Sequence, residues 1–297
     1  MRVCAKLGIP FKEIDLSADY KLGVADYMIA EYRAGRTPNP DVMCNREVKF
    51  GAFMQWALQQ GADYVATGHY ARVSPEGELL RGLDAAKDQS YFLWTLTTDQ
   101  LSRILFPVGE LQKSQVRKLA AKHDLFTAEK KDSQGICFLG PVDMKEFLQH
   151  YIEVRPGDVL DTDGNVIGMH DGALFYTLGE RRGFTIIKKT DNDSPRYVVA
   201  KDVEANTITV AESIAPKEEQ QGISLRGCVF RVESSLYIHK EVVAHIRYHG
   251  QNKMCRIERQ VDDRAELVFE EHDPTIAPGQ SIVLYDGDVC IGGGIVA

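Results

Sequence analysis

Over the first 150 residues the apolar positions recur at helical spacing, interrupted by short apolar runs. Leu22, Ala25, Ile29 and Tyr32 share one face of a helix that Ser17 or Asp19 can cap and that Gly35 stops. Before it, Ile9 to Leu16 has an extended character. Arg46 to Gln60 predicts a second helix with Phe50, Phe53, Trp56 and Ala57 inward. Asp63-Tyr-Val-Ala-Thr67 then predicts a short buried strand that ends in Gly68-His69. Strands alternating with helices indicate a parallel α/β sheet. Ser114 is placed to cap a helix whose inner face is Val116, Leu119, Ala120 and His123. Asp143 with Glu146 resembles a capping box ahead of Met144, Phe147, Leu148, Tyr151 and Ile152.

The pattern changes at Arg155. Pro156-Gly157 opens a series of short strands and turns, with Asp163-Gly164 and Asp286-Gly287 as hairpin candidates. Val229–Val232, Val242–Tyr248, Met254–Ile257, Leu267–Phe269 and Ile282–Tyr285 recur at the spacing of a β-sandwich or barrel. Lys217-Glu-Glu-Gln-Gln-Gly222 has the composition of a linker. These shifts divide the chain into residues 1–139, 140–218 and 219–297.

Composition narrows the function classes. The 297 residues are 44% hydrophobic and 26% charged, as in ordinary soluble proteins. No apolar run approaches the roughly 20 residues of a membrane span, and the N-terminus has no signal-peptide pattern. A cytoplasmic protein without a membrane partner is expected. The six cysteines, at 4, 44, 137, 228, 255 and 290, have neither the spacing of a secreted disulfide framework nor that of zinc ligands. No metal site is expected, and Cys4, Cys228, Cys255 and Cys290 read as small buried hydrophobes. The net charge of −8 argues against a protein that coats nucleic acid. Its distribution is uneven, however. Residues 113–131 hold six cations against Asp124 and Glu129, a local +4, while residues 257–273 carry a local −5. The basic stretch is either a nucleic-acid contact or a solvated helix face.

Two cysteines stand in unusual loops. Cys44 closes Thr37-Pro-Asn-Pro-Asp-Val-Met-Cys44, where Pro38 and Pro40 stiffen the chain. Asn39 and Asp41 are suited to hydrogen-bond a planar heterocycle. A helix beginning near Arg46 would put its N-terminal dipole beside the Cys44 thiol and lower its pKa. Cys137 follows Lys130, Lys131 and Gly135. It lies 93 residues beyond Cys44, so only the fold can join the two. Gly68-His69 sits where open α/β sheets bind ligands; His69 is an acid–base group or a structural histidine. Lys87-Asp-Gln89 offers a phosphate contact and base contacts, or is a solvated loop before a core segment.

In order along the chain, the motifs closely resemble those of the tRNA-specific 2-thiouridylases. They are Gly35-Arg-Thr-Pro-Asn-Pro-Asp41 with Cys44-Asn45 and Lys49-Phe50; Ala66-Thr-Gly-His-Tyr70; Lys87-Asp-Gln-Ser-Tyr-Phe-Leu93; and Phe106-Pro-Val-Gly-Glu-Leu111. Lys131-Asp-Ser133, Gly135-Ile-Cys-Phe138, Tyr176-Thr-Leu-Gly179 and Gly292-Gly-Gly-Ile295 complete the series. The resemblance implies an adenine-nucleotide α-hydrolase-like (PP-loop ATPase) parallel-sheet domain, truncated at its start, then a small central domain and a C-terminal β-barrel. It implies that ATP, as Mg-ATP, adenylates the C2 oxygen of the wobble uridine of tRNA and that sulfur replaces it. Cys137 would carry the persulfide, charged by an upstream sulfur-relay protein. Cys44 would attack it, releasing sulfide and leaving a Cys44–Cys137 disulfide; alternatively, the terminal sulfur of the Cys137 persulfide attacks the uridine directly. Asn39, Pro40 and Asp41 would contact the target base. Gly68 would line the ATP site. His69, Lys87, Asp88, Gln89, Arg247, Tyr248 and Gln280 would touch the tRNA, and a monomer is expected.

The family's Ser-Gly-Gly-Val-Asp-Ser loop, which grips the ATP pyrophosphate at a helix start, does not occur in the sequence. A start placed downstream of the true one, partial coverage of the gene and a genuinely shortened protein each account for this, and only the last predicts loss of adenylation. Two rivals to the enzyme follow: a non-catalytic tRNA-binding protein, and a thiol sulfur carrier acting without ATP.

Overall fold

The computed structural model describes residues 1–130, 144–187, 194–214, 222–231, 236–271 and 273–297. Cys137, the expected Asp143 cap, most of the expected linker and the boundaries near 140 and 219 lie outside them.

The helix expected after Leu16 forms, but with a different buried face. It runs as Ser17–Tyr20, widens to π geometry over Lys21–Asp26, and returns to α over Tyr27–Arg33. A π turn adds a residue to the repeat and shifts the phase of everything beyond it. The buried set is therefore Val24, Met28, Ile29 and Glu31, and Leu22 is 75% exposed. Neither Ser17 nor Asp19 caps the start. Instead, the Asp15 carboxylate accepts from the Ser17 amide at 2.9 Å. Gly35, at φ 70°, ends the helix as expected.

The next helix begins earlier than its pattern suggests. Pro40–Met43 leads without a break into a wide-turned stretch, Cys44–Phe53, and then Met54–Gln59. Pro40 takes the first helical position, where its missing N–H costs nothing, and Asn39 Oδ1 accepts from Val42 N at 3.2 Å. Gly23 lets the two helices approach closely, since a Cβ there would lie 2.7 Å from that of Glu47. The expected strand is present as Val65–Ala66, paired in parallel with Ile104–Leu105. Ile9 to Leu16 joins no strand. Helix Lys113–Lys122 is capped by Gln112 and Gln115 rather than Ser114. It buries none of its residues: Val116 and Ala120 are half-buried, and Leu119 and His123 are exposed.

The middle of the chain forms a five-stranded sheet in the order Phe184–Ile186, Val166–His170, Gly157–Leu160, Thr207–Ala211, Tyr197–Asp202. The Asp163-Gly164 hairpin is present, with Gly164 at φ 84°. The C-terminal strands Ile223–Phe230, Arg264–Phe269, Lys253–Val261, Glu241–His245, Ser281–Asp286 and Val289–Val296 pair in that order. The first also pairs with the last, which closes a barrel and leaves it without free edges.

The barrel is not independent of the N-terminal region. A hairpin, Ala71–Val73 and Leu79–Arg81, extends its sheet through Leu80 opposite Val289. Tyr91, Leu93, Trp94 and Leu96 share one core cluster with Val283, Tyr285, Cys290 and Ile295. The Gly292–Gly294 run makes this seam possible. A Cβ on Gly293 would lie 2.7 Å from the Ile282 carbonyl and 3.1 Å from the Trp94 ring. Gly293→Ala is therefore expected to cost about 1–3 kcal/mol by overpacking, seen as a lower urea midpoint; an unchanged midpoint would mean the seam can relax.

A buried ion triad ties the same regions together. Glu31 accepts from Arg36 at 2.7 and 2.8 Å and from Arg226, on the first barrel strand, at 2.8 Å.

Candidate active site

The end of strand Val65–Ala66 opens into a cleft of about 960 Å³, within the size range of small-molecule sites. Its floor is Thr67, Gly68 and His69. Val48, Lys49 and Phe53 come from the helix that carries Cys44. Leu16, Ser17 and Lys21 come from the preceding helix, and Phe147 and Tyr151 close the far side. The walls are largely apolar, with two lysines among them. Nothing lies within 4 Å of where a Gly68 Cβ would stand, so its backbone faces open space.

His69 is buried, with ring centroids 5.8 Å from Phe50 and 6.1 Å from Phe106, and its Nδ1 lies 2.8 Å from Thr67 Oγ1. Burial, and then the Lys49 charge, push its pKa down to about 3. It is therefore a neutral hydrogen-bonding group near pH 7 rather than a poised acid or base. The unfolded chain, titrating near 6.5, binds the additional proton between these values. Stability accordingly falls as pH drops below 6.5, by at most about 1.4 kcal/mol per pH unit. His69→Gln should flatten that acid limb in pH-dependent urea unfolding; an unchanged slope would assign the acid sensitivity elsewhere.

The Cys44 setting differs from the sequence expectation. The helix starts at Pro40, not near Arg46, so Cys44 lies inside it and is fully buried. The helix-terminal dipole acts mainly on the first turn, which holds Asp41. Val48 and Lys49, about one turn beyond Cys44, face the cleft. Asn45 is also buried; its Nδ2 donates to the Phe92 carbonyl at 3.1 Å, and its Oδ1 has no hydrogen-bond partner. Of the other cysteines, Cys4, Cys228, Cys255 and Cys290 are free thiols. Burial pushes Cys228 and Cys255 up to about 12, which makes them poor nucleophiles.

The remaining candidates flank this cleft or the adjoining junction. Asn39, beyond capping its helix, lies near Tyr91, whose hydroxyl donates to the Ser281 carbonyl at 3.0 Å. Thr37 holds the loop from two sides, its amide donating to Pro278 O at 2.8 Å and its hydroxyl meeting that of Thr177 at 3.0 Å. Gln280 is buried beside this contact, and its Oε1 accepts from Ala277 N at 3.1 Å. Arg247 donates to the carbonyls of Leu178 and Thr275 at 3.2 and 3.1 Å, and the Tyr248 ring meets that of Phe92 at 4.4 Å, tilted by 49°.

Lys87 is half-exposed. Asp88 commits both oxygens internally: Oδ1 accepts from Gly82 N and Ser90 N at 2.9 and 3.0 Å, and Oδ2 from the Ser90 hydroxyl at 3.0 Å. Gln89 accepts from Tyr70 N at 3.0 Å and lines the cleft. The structure thus brings Cys44, Gly68, His69 and Gln89 around the helix and its cleft, with Asn39, Arg247, Tyr248 and Gln280 on the adjoining junction. Lys21, Asn45 and Lys49 were not among the expected site residues. The spacing of Lys49 from Cys44 was the available signal for that residue; Lys21 stands at the first position of the π stretch. Among the described residues, no group of three or more His, Cys, Asp or Glu side chains is placed to hold a metal ion. No helix among them is long and apolar enough to cross a membrane.

Comparison with known proteins accounts for nearly the whole chain. A family profile described as tRNA methyl transferase HUP domain matches residues 1–141. One described as tRNA methyl transferase PRC-barrel domain matches 145–212, and one described as aminomethyltransferase beta-barrel domain matches 228–296. Proteins named tRNA-specific 2-thiouridylase MnmA from Shigella boydii serotype 18 and Escherichia coli K12 are each 45% identical over 300 aligned residues. These alignments cover 99% of this chain and 82% of each relative; the protein of the same name from Shigella dysenteriae serotype 1 gives the same figures.

Proposed function

Since this chain belongs to the tRNA-specific 2-thiouridylase family, we propose that it replaces the C2 oxygen of the wobble uridine of tRNA with sulfur, using ATP and a cysteine persulfide. The observation that carries this reading is the strand-end cleft, whose wall is the helix that bears Cys44. The residues present suit an adenine nucleotide. Val48 and Phe53 offer apolar surface for a base, Lys49 offers charge for phosphates, with Lys21 nearby but paired to Asp26, and Gly68 lets a ligand approach the backbone. ATP, supplied with Mg²⁺, converts the C2 oxygen into a leaving group.

Asn39, Pro40 and Asp41 hold the target base, flipped out of a single-stranded loop. Lys87, Gln89, Arg247, Tyr248, Gln280 and His69 engage the tRNA around it, while Asp88 shapes the loop that presents Lys87 and Gln89. Cys137, charged by an upstream sulfur-relay donor, carries the outer sulfur. The Cys44 thiolate attacks the inner Cys137 sulfur, forming a Cys44–Cys137 disulfide and expelling hydrosulfide, which displaces AMP from C2. An external thiol then supplies the two electrons that restore both cysteines. The protein acts in the cytoplasm as a monomer.

The test is mass spectrometry of nucleosides from unmodified tRNA incubated with the protein, ATP and a persulfide donor. The reading requires 2-thiouridine at the wobble position only when ATP is present. Binding of tRNA without ATP affinity or thiouridine would favour the non-catalytic tRNA-binding protein instead.

A further inference from the structure

We propose that Phe92, Tyr248 and His249 form a stacking column that receives the nucleobase next to the wobble uridine. This rests on the reading under Proposed function. The column begins at the loop assigned to the target base. Asn39 lies near Tyr91, whose ring meets Phe92 edge-on at 5.4 Å, and Asn45, beside Cys44, holds the Phe92 carbonyl. Phe92 and Tyr248 then stand 4.4 Å apart and Tyr248 and His249 4.0 Å apart, tilted by 49° and 54°. The column ends in solvent, because His249 is exposed.

The turn that presents His249 is specific. Gly250 N donates to the Arg247 carbonyl at 3.0 Å, and His249 takes φ 56°, a region that L residues with side chains rarely adopt. This conformation holds an exposed imidazole across the Tyr248 ring. Among the described residues Tyr248 is its only ring contact. Burial of apolar surface does not explain such an arrangement, whereas a ring face offered to a planar ligand does. Anticodon bases are single-stranded and stack on aromatic and histidine rings with little regard to sequence.

Charge supports the same occupant. Arg247 spends one nitrogen on two carbonyls, and its guanidinium carries further N–H donors for a phosphate. Arg181 and Arg182, three and four residues beyond the Leu178 that Arg247 holds, are exposed and form no ion pair among the described residues. On a chain of net charge −8, Arg247 beside these rings, with two exposed arginines shortly after the segment it holds, suits the backbone of a bound RNA.

The probe is a tRNA transcript carrying 2-aminopurine, in separate preparations, on either side of the wobble uridine. Binding to the unaltered protein should quench the fluorophore at one of the two positions. His249→Ala, with circular dichroism unchanged, should weaken binding roughly tenfold and abolish the quenching, and His249→Phe should restore both. The column is overturned if His249→Ala binds and quenches like the unaltered protein, if His249→Phe is as weak as His249→Ala, or if bound tRNA is quenched at neither position. Failure of the unaltered protein to bind tRNA at all would overturn the proposed function, and the column with it.

Discussion

Replacing Cys44 with serine is expected to lower thiolation by at least about a thousandfold, because a hydroxyl cannot take over a thiolate's attack on a disulfide-type sulfur. The persulfide on Cys137 should survive and accumulate, since its charging does not involve Cys44. Stability should change little, because serine occupies nearly the same volume in the buried site; its hydroxyl can donate to a carbonyl one turn back in the helix. Persulfide-specific alkylation with peptide mass spectrometry, alongside the nucleoside assay, separates the two effects. Thiolation at the unaltered rate in Cys44→Ser would remove Cys44 from the chemistry and leave its buried position as its whole role.

The second large effect belongs to stability. Glu31→Ala removes the carboxylate shared by Arg36 and Arg226 and leaves two guanidinium groups facing each other at the barrel seam. Breaking a buried pair in this way costs about 3–5 kcal/mol. The arginine side chains here are 34% and 38% exposed, so water recovers part of that, and about 2–3 kcal/mol is expected. Burial alone would raise the Glu31 pKa, but the two arginines outweigh it and hold the carboxyl below its usual 4.5. The triad therefore stabilises fully above that value and is lost as pH falls through the depressed one. Urea unfolding of the variant should show a lower midpoint near pH 7 and a smaller difference from the parent in acid. Equal midpoints at pH 7 would show that the barrel docks without the triad.

Local grammar predicted the elements whose causes are local. Gly35, Gly164 and Gly287 end or turn the chain where positive φ is needed, and they do so in the structure. The five β segments from Val229 onward each overlap a strand, although the first strand runs Ile223–Phe230 and the second ends at His245. What the pattern missed has causes that apolar periodicity does not carry. The π turn at Lys21–Asp26 moves Leu22 out and Val24 in, and a period of 3.6 cannot reveal it. The early helix start depends on Pro40 acting as a first residue rather than a breaker, with Asn39 as its cap. The seam between the hairpin Ala71–Arg81 and the barrel joins positions about 209 residues apart, as with Leu80 and Val289, for which no local signal exists.

The site divides in the same way. Asn39, Gly68 and His69 carry readable signals in a proline-rich loop and a strand end, and the structure sets Gly68 and His69 in one cleft beside the Cys44 helix. The neutrality of His69 was not legible, because it comes from Phe50, Phe106 and Lys49 closing around the ring. The loop-bracing role of Asp88 depends on Gly82 and Ser90, which only the fold turns toward it. His249 gave no signal at all, because its stack on Tyr248 needs a left-handed turn that the sequence around Gly250 does not announce.

Non-reducing peptide mapping after a single turnover asks whether sulfur passes between Cys137 and Cys44. Protein charged with one extra sulfur atom on Cys137 is given ATP and unmodified tRNA without reductant, and its peptides are compared with the 2-thiouridine formed. A Cys44–Cys137 cross-linked peptide is expected in equal amount to the thiouridine. Thiouridine formed while both cysteines remain uncross-linked would contradict that transfer.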